Sequence, residues 1–531
     1  MPTLDWIGKD KVINHHQEVP FRILERQYSY DEKGKHEENN QSANMIIHGD
    51  NLEALKALLP EYEGKIKCIY IDPPYNTGEE GWIYNDNVND PRIKKWIGEV
   101  VGKEDEDLSR HDKWLCMIYP RLRLLHKLLS NDGIIFISID DNEYANLKLI
   151  CDEIFDARNY VASFIWEKRK NRENRKVVSS RHDYILCFAK HIVSEKRVLK
   201  QLPMTGEALE RYKNPDNDPR GLWKSDPAIA QGGHGTKNQF YTLISPSGKK
   251  FNPPLGCCWR FTEEKMKQEI AENRIWFGKD GNNTPRKKTY LYEKDRGLTP
   301  ETIWFASDVS TNERAKNELK VIFPEAIPFT TPKPHELIEL IIQLCTETND
   351  IVLDSFAGSG TTAHAVLNRN KADGGNRKFI LIEMGDYADD ITAERVKRVI
   401  DGYGQEKKAV EGTGGNFSYY ELGEPLFKNG NLNENIRIDY IHEYIWYMET
   451  KQSYAPVLDG NSYYLGADKG TAYYFYYERN EVCTLNYAFL STIREKADTY
   501  VIYADKCALS EEELTLHNIV FKKIPRDISR L

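Results

Sequence analysis

The sequence predicts an α/β protein with a doubly wound, mainly parallel sheet. Two apolar runs of strand length, residues 66–71 and 351–354, each lead into a loop rich in Pro or Gly. Both runs have the continuous hydrophobicity of strands that are covered on two faces. Helical patterns alternate with such runs, and crossover helices bring the carboxyl ends of parallel strands to one edge of the sheet.

Composition and charge limit the class of protein. The 531 residues allow about three or four domains, and 40% hydrophobic with 29% charged residues is typical of a soluble globular protein. No apolar run approaches the roughly 20 residues that span a bilayer. Nine scattered cysteines without a Cys-x-x-Cys pair indicate free thiols in the cytoplasm, and we expect no metal site. With a net charge of −9, any nucleic-acid surface must come from local basic clusters.

The first part of the predicted sheet follows a polar stretch, residues 1–42, which we expect to be an extension. A short strand leads to Asp50, and Asn51 is expected to cap the next helix. The strand that precedes Asp72 comes next, so Asp50 and Asp72 should lie at the same sheet edge. A long polar stretch, residues 79–112, either contacts a ligand or forms a solvated insertion.

The loop Asp72-Pro73-Pro74-Tyr75 has the chemistry of a binding site for a planar amino group. Consecutive prolines remove two N–H donors and fix φ twice, so the loop is stiff. The Asp72 carboxylate and the Pro73 carbonyl then form an acceptor pair beside the Tyr75 ring. This arrangement suits a nucleobase with an exocyclic amino group. The alternative is a Pro-rich turn after a core strand.

The rest of the segment 43–193 predicts further helices and strands of the same sheet. They are a helix at 113–129, a strand at 134–139, a helix at 143–155 and an antiparallel edge pair at 163–166 and 184–188. The loop between the two edge strands is basic, which suits contacts with phosphate, although a solvated charged face is the alternative. The candidate DNA contacts in this loop are Lys168, Arg169, Lys170 and Arg172.

Residues 194–329 predict a separate module of short strands that is rich in Gly, Pro and Asn. Aromatic and basic residues are interleaved in it, which is typical of a surface that recognises nucleic acid. Its candidate DNA contacts are Arg286, Lys287 and Lys288. His234 lies in a glycine run and indicates a turn, because no partner ligands stand at zinc-like spacing.

The second loop, within residues 330–402, has the pattern of a nucleotide-type cofactor site. Gly358 and Gly360 let the backbone approach a ligand, and a helix that begins near Thr361 offers N–H groups to a carboxylate or phosphate. About twenty residues later a strand ends at Glu383, which is a suitable partner for ribose hydroxyls. Alone, this pattern also fits a dinucleotide-binding dehydrogenase.

The last part of the chain, residues 403–531, predicts a small α/β domain with a Tyr-rich hairpin at 463–477. We expect this domain to make dimer or partner contacts.

The two loops together resemble motifs of a known enzyme class. Residues 72–78, Asp-Pro-Pro-Tyr-Asn-Thr-Gly, are similar to the catalytic motif of amino-group DNA methyltransferases, and residues 354–362 are similar to their cofactor motif. The catalytic motif comes first, as in the β class, whose Rossmann-like methyltransferase sheet is circularly permuted and carries an inserted target-recognition module. The chain particularly resembles the modification subunits of type III restriction–modification systems, over residues 44–192 and 330–402. Asp72, where cytosine-N4 enzymes more often have Ser or Thr, favours N6 of adenine.

This resemblance implies a methyl donor, a substrate and partners. The donor would be S-adenosylmethionine and the substrate double-stranded DNA with a flipped adenine. A homodimer and a restriction subunit with nuclease and helicase activity are the expected partners. The catalytic residues would be Asp72, Pro73, Pro74 and Tyr75, and the cofactor-binding residues Asp50, Asp72, Lys333, Asp354, Phe356, Ala357, Gly358, Ser359, Gly360, Thr361 and Glu383.

The resemblance also assigns individual roles within the cofactor set. Residues 356–360 would enclose the methionine portion, and Asp354 would fix their loop. Glu383 would bind the ribose hydroxyls, Asp50 the amino group of the cofactor's adenine, and Lys333 would cover the amino-acid end.

Other functions remain open at this point. The chain could methylate cytosine N4, RNA or a protein amide through a similar Pro-Pro-Tyr pocket. A nicotinamide-dependent oxidoreductase could use the glycine loop, but it leaves residues 72–75 without a role. A catalytically silent DNA-binding subunit would not need every position of both motifs.

Overall fold

A computed structural model of the chain describes residues 3–77, 109–174, 177–193, 197–293, 297–325, 329–456 and 462–526, together with Lys95, Gly98 and Glu99. These residues form two compact units. The larger unit comprises Met1–Lys200 and Glu301–Leu531, and the smaller unit comprises Gln201–Pro300. Most of the predicted polar stretch at 79–112 lies outside the described residues.

The larger unit is built on a mixed sheet that has eleven strands among the described residues. From one edge to the other, the strands are Ile303–Trp304, Tyr160–Trp166, Asp183–Ala189, Leu129–Ile139, Ile66–Ile71, Ile351–Asp354, Lys378–Glu383, Met45–His48, Phe417–Pro425, Arg22–Asp31 and Gly34–His36. The six strands from Leu129–Ile139 to Phe417–Pro425 are parallel. The predicted edge pair beside them is antiparallel, as expected.

Helices cover both faces of this sheet. On one face, Ile69 and Ile71 pack in the main core with the helices Asn51–Tyr62, Arg110–Leu128 and Tyr144–Phe155. Side chains alternate along a strand, so Cys68 points to the opposite face. There it contacts Cys345 of the helix His335–Cys345, which packs beside the helix Thr361–Asp373. The predicted doubly wound α/β class is confirmed.

The two strands that carry the sequence motifs are direct neighbours. Cys68 stands opposite Val352 and Ile69 stands opposite Leu353 in a parallel ladder. Their loops, residues 72–77 and residues 355–360, therefore leave the sheet side by side. They lie about 280 residues apart in the chain, and the parallel register alone brings them together.

The N-terminal stretch is part of the sheet, and the prediction of a separate extension at 1–42 is wrong. Arg22–Asp31 pairs antiparallel with Phe417–Pro425, and Trp6, Val12 and Val19 enter the main core. The same pairing draws the start of the predicted C-terminal domain into the sheet. Two short helices, Lys9–Val12 and His15–Glu18, precede this strand.

Helix starts differ from the predictions by one to three residues. The cap of the helix Asn51–Tyr62 is Asp50, whose carboxylate accepts from the Leu52 amide at 2.8 Å, so the prediction of Asn51 is wrong. Arg110–Leu128 begins earlier than predicted, because Ser109 and Asp112 form a capping box.

The C-terminal part of the larger unit contains a second, four-stranded sheet among the described residues. Its strands are, in spatial order, Tyr464–Asp468, Thr471–Phe475, Thr499–Ala504 and Ile519–Lys523. The first two form the predicted hairpin, with Lys469 and Gly470 at positive φ in its turn. Helices Ile438–Thr450, Tyr487–Leu490 and Glu511–Leu516 accompany the sheet.

The smaller unit consists mostly of short strands, as predicted. A three-stranded sheet of Ile275–Trp276, Arg286–Tyr290 and Trp223–Pro227 stands beside two strand pairs and the helices Gly206–Glu210 and Glu263–Ala271. The unit is shorter than the predicted module at 194–329. Residues 301–325 belong to the larger unit, where Ile303–Trp304 pairs with Tyr160–Trp166.

Within the part of the chain that the structure describes, no helix combines the length and hydrophobicity that a membrane span requires.

Candidate active site

Asp72 lies at the centre of the candidate site, and its side chain is bound to a lysine from a distant part of the chain. The Asp72 side chain is 11% exposed and its carboxylate accepts a hydrogen bond from the Lys333 ammonium. The same ammonium lies 5.0 Å from the centroid of the Tyr75 ring. Lys333 therefore joins the acid and the aromatic ring of the predicted catalytic motif.

The Asp72 loop, residues 72–77, is fixed from the opposite side by the helix Arg110–Leu128. Trp114 Nε1 donates to the Pro74 carbonyl at 2.6 Å. Asn76 adopts a left-handed φ of 59°, and its amide donates to the buried carboxylate of Glu143. Glu143 Oε1 also lies 2.6 Å from His111 Nδ1. Because these contacts add to the stiffness of two prolines, the backbone after Asp72 has one defined shape.

The Gly358 loop, residues 355–360, is held by acids at the ends of two strands. The Asp354 carboxylate accepts from the Phe356 amide at 3.0 Å and from Thr362 Oγ1 at 2.5 Å. Burial raises the pKa of Asp354 to about 7. Glu383 Oε2 accepts from the Gly358 amide at 2.8 Å. The two carboxylates thus hold the loop by its backbone amides and by Thr362.

Gly360 needs the conformation of glycine. Its φ is 79°, and a Cβ atom at this position would stand 2.9 Å from the Thr392 carbonyl oxygen. A side chain would therefore both strain the backbone and push the loop away from its neighbour. Thr392 Oγ1 also donates to the Gly358 carbonyl at 2.5 Å.

A small cavity of about 20 Å³ lies between the two loops. Eight predicted site residues line it: Asp72, Lys333, Asp354, Phe356, Ala357, Gly358, Ser359 and Thr361. At the same edge of the sheet, Glu383 ends the strand Lys378–Glu383 and Asp50 follows the strand Met45–His48. Most of the predicted cofactor set and the predicted catalytic acid therefore come together at one place.

This combination of fold and site agrees with the comparison with known families. The sequence model of the DNA methylase family matches residues 66–394, which include both loops. The chain belongs to the DNA methylase family.

Among the curated relatives of this DNA methylase are modification subunits of type III restriction–modification enzymes. The StyLTI Mod subunit of Salmonella typhimurium is 33% identical, over 80% of this chain and 66% of that protein. The EcoP15I Mod subunit of Escherichia coli is 32% identical, over 76% and 66%. The type II methyltransferase M.KpnI of Klebsiella pneumoniae is 32% identical, over 65% of this chain and 81% of its own length. The match thus spans slightly less than two thirds of the two Mod subunits.

A further acid near the methylase site, Asp183, was not identified from the sequence; the charge of Lys333 acts on its carboxyl. It is buried at the start of the strand Asp183–Ala189, and burial raises the pKa of its carboxyl. Lys168 Nζ donates to it at 2.5 Å. The sequence did contain a signal for this position. The strand Asp183–Ala189 runs antiparallel to Leu129–Ile139, so its first residue lies at the edge of the sheet where Leu129–Ile139 ends.

The predicted DNA contacts in the basic loop differ in whether their side chains are bonded within the protein or exposed to solvent. Lys168 is bound to Asp183, and Arg169 bonds the Ser180 carbonyl at 2.8 Å. Lys170 and Arg172 are exposed, so both are available to a phosphate.

In the smaller unit, the prediction for Lys288 is wrong. Its side chain is fully buried and forms ion pairs with Asp216 and Asp218, so it is not available to DNA. Arg286 bonds Ser225, and Lys287 lies 5.0 Å from the centroid of the Phe261 ring. DNA contacts by these two residues remain predictions.

Proposed function

We propose that this chain transfers a methyl group from S-adenosylmethionine to N6 of adenine in double-stranded DNA. The observation that carries the proposal is the adjacency of the Asp72 loop and the Gly358 loop. They follow neighbouring parallel strands and line one cavity, so an amino group held at Asp72 can meet a donor held by the glycine loop. Membership of the DNA methylase family supports DNA as the substrate.

The residues of the Gly358 loop and of the strand ends beside it have the chemistry that the proposed donor requires. When bound, S-adenosylmethionine supplies a methyl group on a positively charged sulfur. Glycine backbone at Gly358 and Gly360 permits close approach, and Glu383 at the end of its strand suits ribose hydroxyls. The Lys333 ammonium suits the donor's carboxylate, and the acids Asp72 and Asp354 suit its positive charge.

Asp72 and Pro73 would prepare the adenine amino group for attack. Its lone pair is delocalised into the ring, so the free amino group is a poor nucleophile. The Asp72 carboxylate and the Pro73 carbonyl accept its two N–H bonds, which favours a pyramidal nitrogen with the lone pair directed at the donor. Although Lys333 binds Asp72 Oδ2, a carboxylate has about four acceptor positions and can take a further donor. Asp72 also stabilises the positive charge that develops on the nitrogen.

Tyr75 would stack on the target base. An adenine inside a duplex is out of reach, so it must leave the helix and enter the site. A tyrosine ring offers a flat apolar surface for it. Tyr75 is buried in this structure, beneath Lys333, so a base reaches the ring only when the neighbouring side chains move aside.

The names of the relatives suggest the biological setting. Because two of them are Mod subunits of type III restriction–modification enzymes, we propose that this chain is the modification subunit of such a system. Association with a restriction subunit, and homodimerisation, belong to this proposal.

Modification-aware sequencing tests the proposal directly. The chain is expressed in a bacterial host without adenine methylation, and the DNA of the host is read for modified bases. We expect N6-methyladenine in one sequence context, and its loss in the Asp72→Ala variant. The matched control is Asp132→Ala, which removes an exposed acid paired with Lys67 and should leave methylation intact. Methylation of cytosine N4 or of RNA alone would contradict the proposed substrate.

A further inference from the structure

A buried arginine lies beneath the Gly358 loop and bonds two of its side chains. Arg395 belongs to the helix Glu394–Asp401, and its side chain is 1% exposed. Its Nη1 donates to Ser359 Oγ at 2.9 Å and to Thr361 Oγ1 at 2.7 Å. One cation thus bonds the hydroxyls on both sides of Gly360.

The guanidinium is held on its other side by a set of polar groups. Arg395 Nη2 lies 3.1 Å from His364 Nδ1 and 3.8 Å from the Glu318 carboxylate. Glu318 in turn lies 3.0 Å from His335 Nε2. A buried cation persists only where such partners compensate its lost hydration. Glu318 and His335, which lie outside the Gly358 loop, therefore help to fix the position of Arg395.

The same groups include three residues that could ligate a metal ion, but a cation, the guanidinium of Arg395, is already among them. Atoms of Glu318, His335 and His364 lie within 4.8 Å of one another. Arg395 contacts two of these residues and supplies a positive charge at that place. We therefore assign the cluster to the support of Arg395.

The segment that precedes Arg395 contacts the loop as well. Thr392 Oγ1 bonds the Gly358 carbonyl, and the Thr392 carbonyl is the atom that a side chain at residue 360 would meet. Contacts from residues 392–395 therefore reach residues 358, 359, 360 and 361 in turn. The loop is therefore contacted by this segment, and its residues Gly358 and Ser359 also line the cavity.

We propose that Arg395 is a positioning residue for cofactor binding, which holds the hydroxyls of Ser359 and Thr361 so that the Gly358 loop is preformed for the methionine end of S-adenosylmethionine. The inference rests on the proposed function. A loop that already has its bound shape loses less conformational freedom on binding, so its affinity is higher. Without the guanidinium the two hydroxyls lose their common donor, and the loop gains other conformations.

Isothermal titration of the purified full chain with S-adenosylmethionine and S-adenosylhomocysteine tests this role. Arg395→Met removes two hydrogen bonds from a charged group to the loop, so it should weaken binding of both ligands by roughly 10- to 100-fold. The KM for S-adenosylmethionine should rise in parallel, with kcat at saturating cofactor unchanged. Arg395→Lys should restore part of the affinity, because an ammonium can reach one hydroxyl but lacks the planar fork.

Arg398→Met is the matched control. Arg398 lies one turn further along the same helix and binds Glu325 and Glu394. Its loss should leave the affinity for both ligands at the wild-type value. Wild-type affinity in a folded Arg395→Met protein, with an unchanged thermal midpoint, would overturn the inference.

Hydroxyl deletions test the same role without touching the buried charge. Ser359→Ala with Thr361→Val should weaken cofactor binding, and Arg395→Met added to this pair should have little further effect. Full additivity, or wild-type affinity of the hydroxyl variant, would count against positioning through these groups. The hydroxyl variant decides the question if Arg395→Met does not fold.

The proposed function and this inference fail in different ways. If the wild-type chain does not bind S-adenosylmethionine, both fail. If it binds the cofactor and methylates adenine while Arg395→Met binds equally well, only the inference fails.

Discussion

At the scale of single residues, the candidate site is a set of buried charges that compensate one another. Asp72 and Lys333 form an ion pair whose side chains are only 11% and 7% exposed. Removing one partner of such a pair leaves a charge in a place from which water is excluded. This pair therefore links the proposed chemistry to the stability of the fold.

Lys333→Met should lower the free energy of unfolding by about 3 kcal/mol, because Asp72 then stays buried without its counter-ion. Urea unfolding of the purified protein measures this change. Lys333→Met combined with Asp72→Asn should recover most of the loss, since neither partner is then charged. The control is Lys67→Met, which breaks an ion pair with the exposed Asp132 and should cost less than about 1 kcal/mol. An equal loss in both single variants would contradict the role of burial.

The carboxyl of Asp354 should make stability depend on pH. Burial raises its pKa from 3.8 to about 7, with the charges of Asp72 and Glu383 acting in the same direction. Between these two values the folded state binds a proton that the unfolded state has lost, so this group's contribution to stability falls as pH rises from about 4 to about 7. Asp354→Asn should therefore be more destabilising at pH 5 than at pH 8. Unfolding curves at the two pH values test this, and a constant difference would contradict it.

At the scale of elements, the helix Arg110–Leu128 and the residues beside it hold the Asp72 loop. Asn76→Gly keeps the left-handed backbone and removes the side-chain bonds to Glu143 and to the Arg110 carbonyl. We expect a lower single-turnover methylation rate with an unchanged dissociation constant for S-adenosylmethionine, because the change affects the acceptor pair rather than the donor.

Asn146→Ala is the control for this experiment. Asn146 also donates to Glu143, at 2.8 Å, but does not belong to the Asp72 loop. Its loss should leave the methylation rate close to that of the wild type. A similar decrease in both variants would place the effect in Glu143 rather than in the loop.

The elements that could be predicted are those with strong local patterns. The strands before Asp72 and Asp354 are short apolar runs bounded by turn residues, and their loops have the expected neighbours. The helix cap at Asp50 was misassigned by one residue, because Asp50 and Asn51 are both good caps and the pattern does not distinguish them.

Contacts between distant parts of the chain could not be predicted in this way. The strand Arg22–Asp31 was missed because its few apolar residues are mixed with charged and polar ones and its partner lies almost 400 residues away. Lys288 was assigned to DNA because its acid partners, Asp216 and Asp218, lie about seventy residues before it. Arg395 carries no local signal at all, and only the packing of its helix reveals its contacts.

At the scale of the whole molecule, the net charge of −9 leaves DNA binding to local groups. The exposed Lys170 and Arg172 are the best placed of the predicted contacts in the larger unit. Replacing both with Gln should weaken DNA binding and reduce the slope of log K against log salt concentration by about two. Fluorescence anisotropy with a DNA duplex at several salt concentrations measures the slope.

The same double change at Arg494 and Lys496, which are exposed in the C-terminal part, provides the control. These positions lie outside the predicted DNA contacts, so the slope should not change. Equal slopes for both double variants would remove Lys170 and Arg172 from the interface.

The two ends of the smaller unit are hydrogen-bonded to each other. Leu202 and Leu298 exchange two backbone hydrogen bonds, of 2.8 and 2.6 Å, so the entry and the exit of this unit lie next to each other. Because its two ends lie side by side, a change within this inserted unit need not shift the strands that precede the Asp72 and Gly358 loops. We therefore expect that residues 201–300 can be replaced as one piece without disturbing these strands. Because the sequence predicts that this unit recognises the target, hybrid enzymes with a foreign segment at 201–300 should keep their chemistry and methylate a different target sequence.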